Sequence, residues 1–377
     1  MAPALVENAQ KIMSKFPNLN KYLAEMWGTF FIVIFGVGSV CSAVSSGMLM
    51  GLWQVATVWG FGVALSIYST ASVSGAHLNP AVSLAFAIFR EKDFAWRECF
   101  WYMLFQMLGG ILGGVVNLAC FSDLIEQYEE ANNIDRDSEN GVYSAMMFGE
   151  YFPHPGAWQL NYKMVSPFYA CMVEAWGTCV LMFMILALTD SRNKALERKE
   201  LAPLLIGFTV ACLISVYAPI TQAGWNPARD FGPRIVAAMA GWGEIAIPGP
   251  RGGFWVFILG PFIGAPVGAF LYDVFISPGL GPVEGDSKDG EKAADSSGEQ
   301  ELSERISVTS CEEVYMKVPC HIVGDQCLPK QRMGESQTRL RLSVERRDEG
   351  FITDYVESEC GGGGCSSTGC SNVPMSN

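Results

Sequence analysis

One apolar unit is written twice in this chain. Gly60-Phe61-Gly62-Val63-Ala64 and Asn79-Pro80-Ala81 return as Gly207-Phe208-Thr209-Val210-Ala211 and Asn226-Pro227-Ala228, at a constant offset of 147 residues and without a gap. Glu25-Met26-Trp27-Gly28-Thr29 is echoed by Glu174-Ala175-Trp176-Gly177-Thr178, and the pair Gly109 and Gly113 by Gly260 and Gly264. Chance similarity between apolar segments does not hold two motifs in one ungapped register, so the halves are one duplicated unit.

Each unit carries three long apolar stretches. They run from Tyr22 to Val44, Trp53 to Val73 and Phe100 to Phe121, then from Phe168 to Leu188, Ala202 to Ile220 and Phe254 to Ile276. A helix needs about 20 apolar residues to cross a hydrocarbon core of ~30 Å, and all six are near that length. Charged residues make up only 17% of the 377, against about 25% in soluble domains, which disfavours a soluble enzyme and a disordered acidic protein alike. The net charge of -13 argues against a nucleic-acid partner, which needs a basic surface. That acidity sits in two appendages: 18 acidic against 10 basic residues after Ile276, and eight against two between Phe121 and Ser166. The first twenty residues have no apolar core with a small-residue cleavage site, so no removable signal peptide is expected.

With three spans per unit, the second unit enters the membrane from the opposite side, an inverted repeat. Two further apolar stretches, Pro80 to Phe89 and Pro227 to Ala240, are too short to cross and are expected as half-spanning, re-entrant helices. The expected fold is thus an all-α membrane protein of six transmembrane helices plus two re-entrant ones. Pro80 and Pro227 suit the first helical position, and Asn79 and Asn226 suit the N-cap. Inversion makes the two N-termini meet near the midplane, where two amides and two positive dipole ends favour neutral oxygens and repel cations.

Lys11, Lys15 and Lys21, then Arg90, Lys92 and Arg97, then Arg192, Lys194, Arg198 and Lys199 fall on one side, which is read as cytoplasmic together with both termini. The domain reading is a segment 1–20, a channel domain 21–278 with repeats at about 21–121 and 167–277, and a disordered acidic tail 279–377. Within the tail, 338–347 is expected to become helical on a cytoplasmic partner of unknown kind. Ser307 and Ser343, each two residues after an arginine, are candidate phosphorylation sites. Cys360, Cys365 and Cys370 stand at the edge of metal-ligand spacing and three ligands alone are a weak zinc signal, so neither metal nor cofactor is expected. Cys41, Cys99, Cys120, Cys171, Cys179 and Cys212 lie in apolar runs and read as small buried hydrophobes.

An arginine in an apolar segment is costly unless it lines water or is paired, so Arg229 is read as functional. Asp230 is expected to accept from Arg234 one turn on, rather than to pair with Arg229. Glu25 and Glu174 are expected to accept hydrogen bonds from the re-entrant loops, and His77 to pack its loop.

Ser74-Gly75-Ala76-His77-Leu78-Asn79-Pro80-Ala81-Val82 and Gly224-Trp225-Asn226-Pro227-Ala228-Arg229-Asp230-Phe231-Gly232-Pro233-Arg234 resemble the two signatures of the major intrinsic protein family, the aquaporins and aquaglyceroporins. Asp230 after Arg229, and Ala187-Leu188-Thr189-Asp190 followed by Ala202-Pro203-Leu204-Leu205-Ile206-Gly207, resemble the glycerol facilitator branch. The resemblance implies a passive, non-enzymatic channel for glycerol and other small neutral solutes with water, a homotetramer in a lipid bilayer, and the plasma membrane as its place. It implies a filter of Trp59, Ile214, Ala223 and Arg229, with Trp59 and Ile214 as an apolar wall opposite the arginine. Two positions depart from the branch: Ala223 stands where the facilitator has an aromatic, and Phe257-Ile258 where the branch has Pro-Leu. Selectivity for water, urea or a metalloid acid such as boric acid is the alternative, and a coupled secondary transporter the rival class.

Overall fold

The computed structural model describes residues 6–7, 10–11, 14–158, 161, 163–281, 320–323, 326–329, 339–346 and 352–359, the last four stretches as backbone alone. They fall into two units, the helices up to 281 and the four strands, and each is described by itself.

Six helices among the described residues are long and apolar enough to cross a membrane. They contain α1 (Leu19–Cys41), α2 (Leu52–Ser74), α4 (Trp96–Asn132), α5 (Pro167–Thr189), α6 (Ala202–Thr221) and α8 (Val256–Phe275), while α3 (Pro80–Phe89) and α7 (Pro227–Ala237) are the short pair. The packing obeys the duplication: α1 lies on α4 as α5 lies on α8, and α2 of one unit lies on α6 of the other. At that last contact a Cβ on Gly60 would stand 2.7 Å from the carbonyl oxygen of Gly207, so the two backbones touch and only glycine fits. Phe61 and Phe208, the next residue in each unit, are both exposed on the outside of the helical unit.

Three departures from the sequence reading have physical causes. Helix α4 does not stop at Phe121 but continues to Asn132, which at 1.5 Å per residue makes it about 55 Å long, well beyond a hydrocarbon core. The added turns hold good helix formers, bury Ile125, and end where Arg136 Nε grips the carboxylate of Glu129 at 2.9 and 3.0 Å. Helix α7 ends at Ala237; a wider turn, Ala238–Trp242, follows, in which Gly241 at φ 105° turns the chain away. Of the six apolar-run cysteines, Cys120 is exposed and Cys212 half-buried, and the other four are buried.

In the tail, β1 (Cys320–Val323) pairs antiparallel with β2 (Gln326–Pro329), and β3 (Arg339–Arg346) with β4 (Ile352–Glu359). The stretch expected to turn helical is therefore strand β3 over most of its length. Leu340, Leu342 and Val344 alternate with polar residues, which is the period of a strand and not of a helix. Ser343 sits in register with Tyr355. Ser307 and the Cys360, Cys365 and Cys370 group lie outside the described residues.

Candidate functional site

The site is built from two loops that lead into α3 and α7. Asn79 caps α3 by accepting from the amide of Ala81 at 2.9 Å, and Asn226 caps α7 by accepting from Ala228 and Arg229 at 3.1 and 3.2 Å. Their side-chain amides then cross over. Asn79 Nδ2 donates to the carbonyl of Trp225 at 2.9 Å, and Asn226 Nδ2 to that of Leu78 at 2.8 Å. Each cap thus ties the other unit's loop, and the two helices meet N-terminus to N-terminus.

Both loops carry the same unusual backbone. Ala76 and Leu78 have φ of 52° and 50°, and Ala223 and Trp225, 147 residues later, have 70° and 48°. Such left-handed positions cost of order 1–3 kcal/mol each in non-glycine residues and persist only when surroundings impose them. Buried carboxylates do so. Glu25 accepts from the amides of His77 and Leu78 at 3.0 and 2.7 Å, from the Ser74 hydroxyl at 2.6 Å and from Gln106 Nε2 at 2.7 Å. Glu174 accepts from the amides of Gly224 and Trp225 at 3.2 and 2.8 Å. His77 stacks on Phe86 with ring centroids 4.4 Å apart, and its Nδ1 lies 3.2 Å from the Ser83 hydroxyl.

Trp59, Ile214, Ala223 and Arg229 are brought together as a ring, each at most 5% exposed. A cavity of about 440 Å³ extends from this ring past Asn79 and Asn226 to Thr189 and Lys199. A second, of about 350 Å³, lies on the other side and shares Trp59, Ile214 and Arg229. Ile32, Val63, Ile67, Ile185, Ile206 and Val210 give the larger cavity a mostly apolar wall.

Two features of the ring differ from the sequence reading. The Arg229 guanidinium is not opposite Trp59 but stacked on it, 4.0 Å above the ring centre, a cation–π contact. It also forms an ion pair with Glu150, a residue that sequence reasoning counted only among the acidic residues of the outer loop. Glu150 lines the second cavity, its amide donates to Asp230 at 2.6 Å, and its carbonyl accepts from Arg234. Asp230 in turn takes both Nε and Nη2 of Arg234, at 3.1 and 2.8 Å. The signal was present: Met146-Met147-Phe148-Gly149-Glu150-Tyr151-Phe152 is an apolar run inside an acidic loop, and a carboxylate within it needs a buried partner.

His154 lines the same second cavity and accepts from the Gly156 amide at 3.0 Å. Burial pushes its imidazole down to about 4. No group of three or more His, Cys, Asp or Glu that could hold a metal occurs among the described residues.

The major intrinsic protein family model matches residues 12–272. The chain belongs to the major intrinsic protein family. Among relatives of this major intrinsic protein, the glycerol uptake facilitator of Pseudomonas aeruginosa is 41% identical over 257 residues, covering 68% of this chain and 88% of the relative. The glycerol uptake facilitator of Escherichia coli K12 is 40% identical over 252 residues, covering 66% and 85%. The propanediol uptake facilitator of Citrobacter freundii is 38% identical over 260 residues, covering 68% and 92%. The X-ray structure of the aquaglyceroporin from Plasmodium falciparum shares the fold with a TM-score of 0.59 at 22% identity, covering 70% of this chain and 98% of that one.

Proposed function

We propose that this major intrinsic protein is a passive channel for glycerol and other small neutral solutes, with water passing the same way. The observation that carries the reading is the lumen: a mostly apolar wall that includes Ile32 and Val210, with Asn79, Asn226 and Arg229 among the side-chain hydrogen-bond donors along it. A carbon skeleton lies against the apolar wall while hydroxyls exchange water for those donors and for loop carbonyls. The joined helix N-termini at Asn79 and Asn226 oppose cations and protons. Trp59, Ile214, Ala223 and Arg229 form the filter, and Glu25, Glu174, Pro80, Pro227, Asp230 and His77 support the pore. No covalent step is involved. The relatives named for glycerol and propanediol uptake support a polyol as the solute.

Ala223 supports urea or boric acid as further solutes, because a methyl leaves room on the loop side of the ring. The channel domain spans 21–278, flanked by the segment 1–20 and the tail 279–377. Both termini face the cytoplasm, the plasma membrane is the site of action, and four copies assemble with one pore each. Osmotic swelling of proteoliposomes in a glycerol gradient tests the reading. Flux above empty liposomes that rises linearly with the gradient is expected; flux equal to empty liposomes, or uptake coupled to an ion gradient, would overturn it.

A further inference from the structure

The duplication assigns each residue of the ring a counterpart in the other unit. At the 147-residue offset Trp59 corresponds to Ile206, Ile214 to Ile67, Ala223 to Ala76 and Arg229 to Val82. All eight line the larger cavity, whereas the second cavity is lined by Trp59, Ile214 and Arg229 and by none of the four counterparts. The backbone follows the same correspondence. Ala76 and Ala223 both have positive φ, 52° and 70°, and Asn79 and Asn226 each bond the other unit's loop. A two-fold relation through the asparagine pair therefore gathers Ile67, Ala76, Val82 and Ile206 into a second ring, on the far side of the asparagines from Arg229.

The two rings differ in chemistry. One carries the guanidinium of Arg229 and the indole of Trp59; the four side chains of the other are aliphatic and bring neither donor nor acceptor. The polar neighbours of the second ring are engaged with one another. Ser83, which holds the place of Asp230, accepts from Gln106 Nε2 at 3.0 Å and lies 3.2 Å from His77 Nδ1. His77, beside Ala76, is stacked on Phe86. A solute that exchanges water for the amides of Asn79 and Asn226 thus next meets hydrocarbon. A polar group that passes hydrocarbon without a partner loses free energy, while alkyl surface there gains it.

We propose that Ile67, Ala76, Val82 and Ile206 are a second selectivity element, which favours diols and triols over solutes that are polar on every edge, such as urea. The proposal rests on the channel reading. A diol turns its C–H surface to the ring and keeps its hydroxyls for neighbours ahead and behind in the file. Urea is flat, with a carbonyl and two amino groups around its rim, so some of its hydrogen-bonding groups face hydrocarbon however it turns. The rings therefore sort by different properties. The filter admits by width and by the donors of Arg229, and Ala223 leaves room there for urea; the second ring then slows urea and passes the polyol. Val82 is the position on which the difference turns, because the other unit places Arg229 there.

The test uses the full-length protein in proteoliposomes and reads the ratio of 1,2-propanediol to urea permeability. Val82→Thr adds a hydroxyl at almost unchanged size. It is expected to lower the ratio by about two- to tenfold, the worth of one hydrogen bond gained by one of the two solutes. Ile67→Thr, on a different helix, is compared with Ile67→Val, which has the same shape without the hydroxyl, and is expected to lower the ratio relative to it. This second pair keeps the test open should Val82→Thr fail to fold. Ratios equal within each pair would overturn the proposal, as would a fall in Ile67→Val as large as that in Ile67→Thr, since width and not polarity would then decide. Wild-type glycerol flux is read alongside. Flux no greater than in empty liposomes marks failure of the channel reading, and flux with unmoved ratios marks failure of this one alone.

Discussion

Glu150 and Arg229 form an ion pair in which 5% and 6% of the two side chains remain exposed. A charge this buried depends on its partner, and removing one member of such a pair costs about 3–5 kcal/mol because the other is left uncompensated. Glu150→Ala is expected to lower the thermal unfolding temperature in detergent clearly, and Glu150→Gln, which keeps an acceptor, to recover part of the loss. An unfolding temperature unchanged in Glu150→Ala would show that Arg229 does not rely on this partner.

The two loop carboxylates are not equally loaded. Glu25 accepts from four groups, while Glu174 accepts from the two amides of Gly224 and Trp225 and has the Thr221 hydroxyl beside it. A glutamine at either place turns one acceptor oxygen into a donor, and each buried donor left unpaired costs about 1–3 kcal/mol. Both variants are expected to be destabilised, Glu25→Gln more than Glu174→Gln, in denaturant unfolding of the purified proteins. The reverse order would contradict the role assigned to these bonds.

Much of this architecture was legible because it is periodic. Apolar length marks the six spans, and the repeated motif marks the residues Pro80–Phe89 of α3 and the two asparagine caps. What was not legible lies where no period runs. The outer loop's acidic composition hid both the extension of α4 to Asn132 and the burial of Glu150, because charge counts ignore which carboxylate sits in an apolar run. The family resemblance gathered Trp59 and Arg229 into one ring but could not tell facing from stacking, since that depends on the rotamer of a long side chain held by Glu150. In the tail, Leu340, Leu342 and Val344 did carry a period of two; it was masked by the overall polarity of the segment.

The α2 and α6 contact gives a test of the duplication itself. Gly60 and Gly207 bring the two backbones together, and a methyl on Gly207 meets the Gly60 carbonyl. Overpacking of this kind costs typically 1–3 kcal/mol, roughly independent of where the pore lies. Gly207→Ala is expected to reduce thermal stability, and Gly281→Ala, which faces open space, to leave it unchanged. Equal stability of the two variants would contradict the close approach.

His154 offers a pH test in the second cavity. Its pKa in the fold, about 4, lies below the ordinary histidine value, so the fold favours the neutral ring. That contribution is present above the unfolded value and is lost as pH falls through the folded one. Between about pH 5 and 8 the residue does not titrate, although an unperturbed histidine would. Solute flux is therefore expected to show no inflection assignable to His154 in that range. A midpoint near the ordinary histidine value that disappears in His154→Gln would contradict it.

The central claim is that small neutral solutes pass through the ring of Trp59, Ile214, Ala223 and Arg229, and Ala223→Phe tests it most directly. Proteoliposomes of wild type and variant are compared in parallel for water, glycerol, urea and boric acid permeability, with reconstitution checked by protein yield. Wild-type glycerol flux is expected to exceed that of empty liposomes, and the added ring is expected to change the ranking, reducing urea and boric acid more than water. Identical ranking in the two proteins would remove Ala223 from the filter, and wild-type flux no greater than that of empty liposomes would contradict the channel itself.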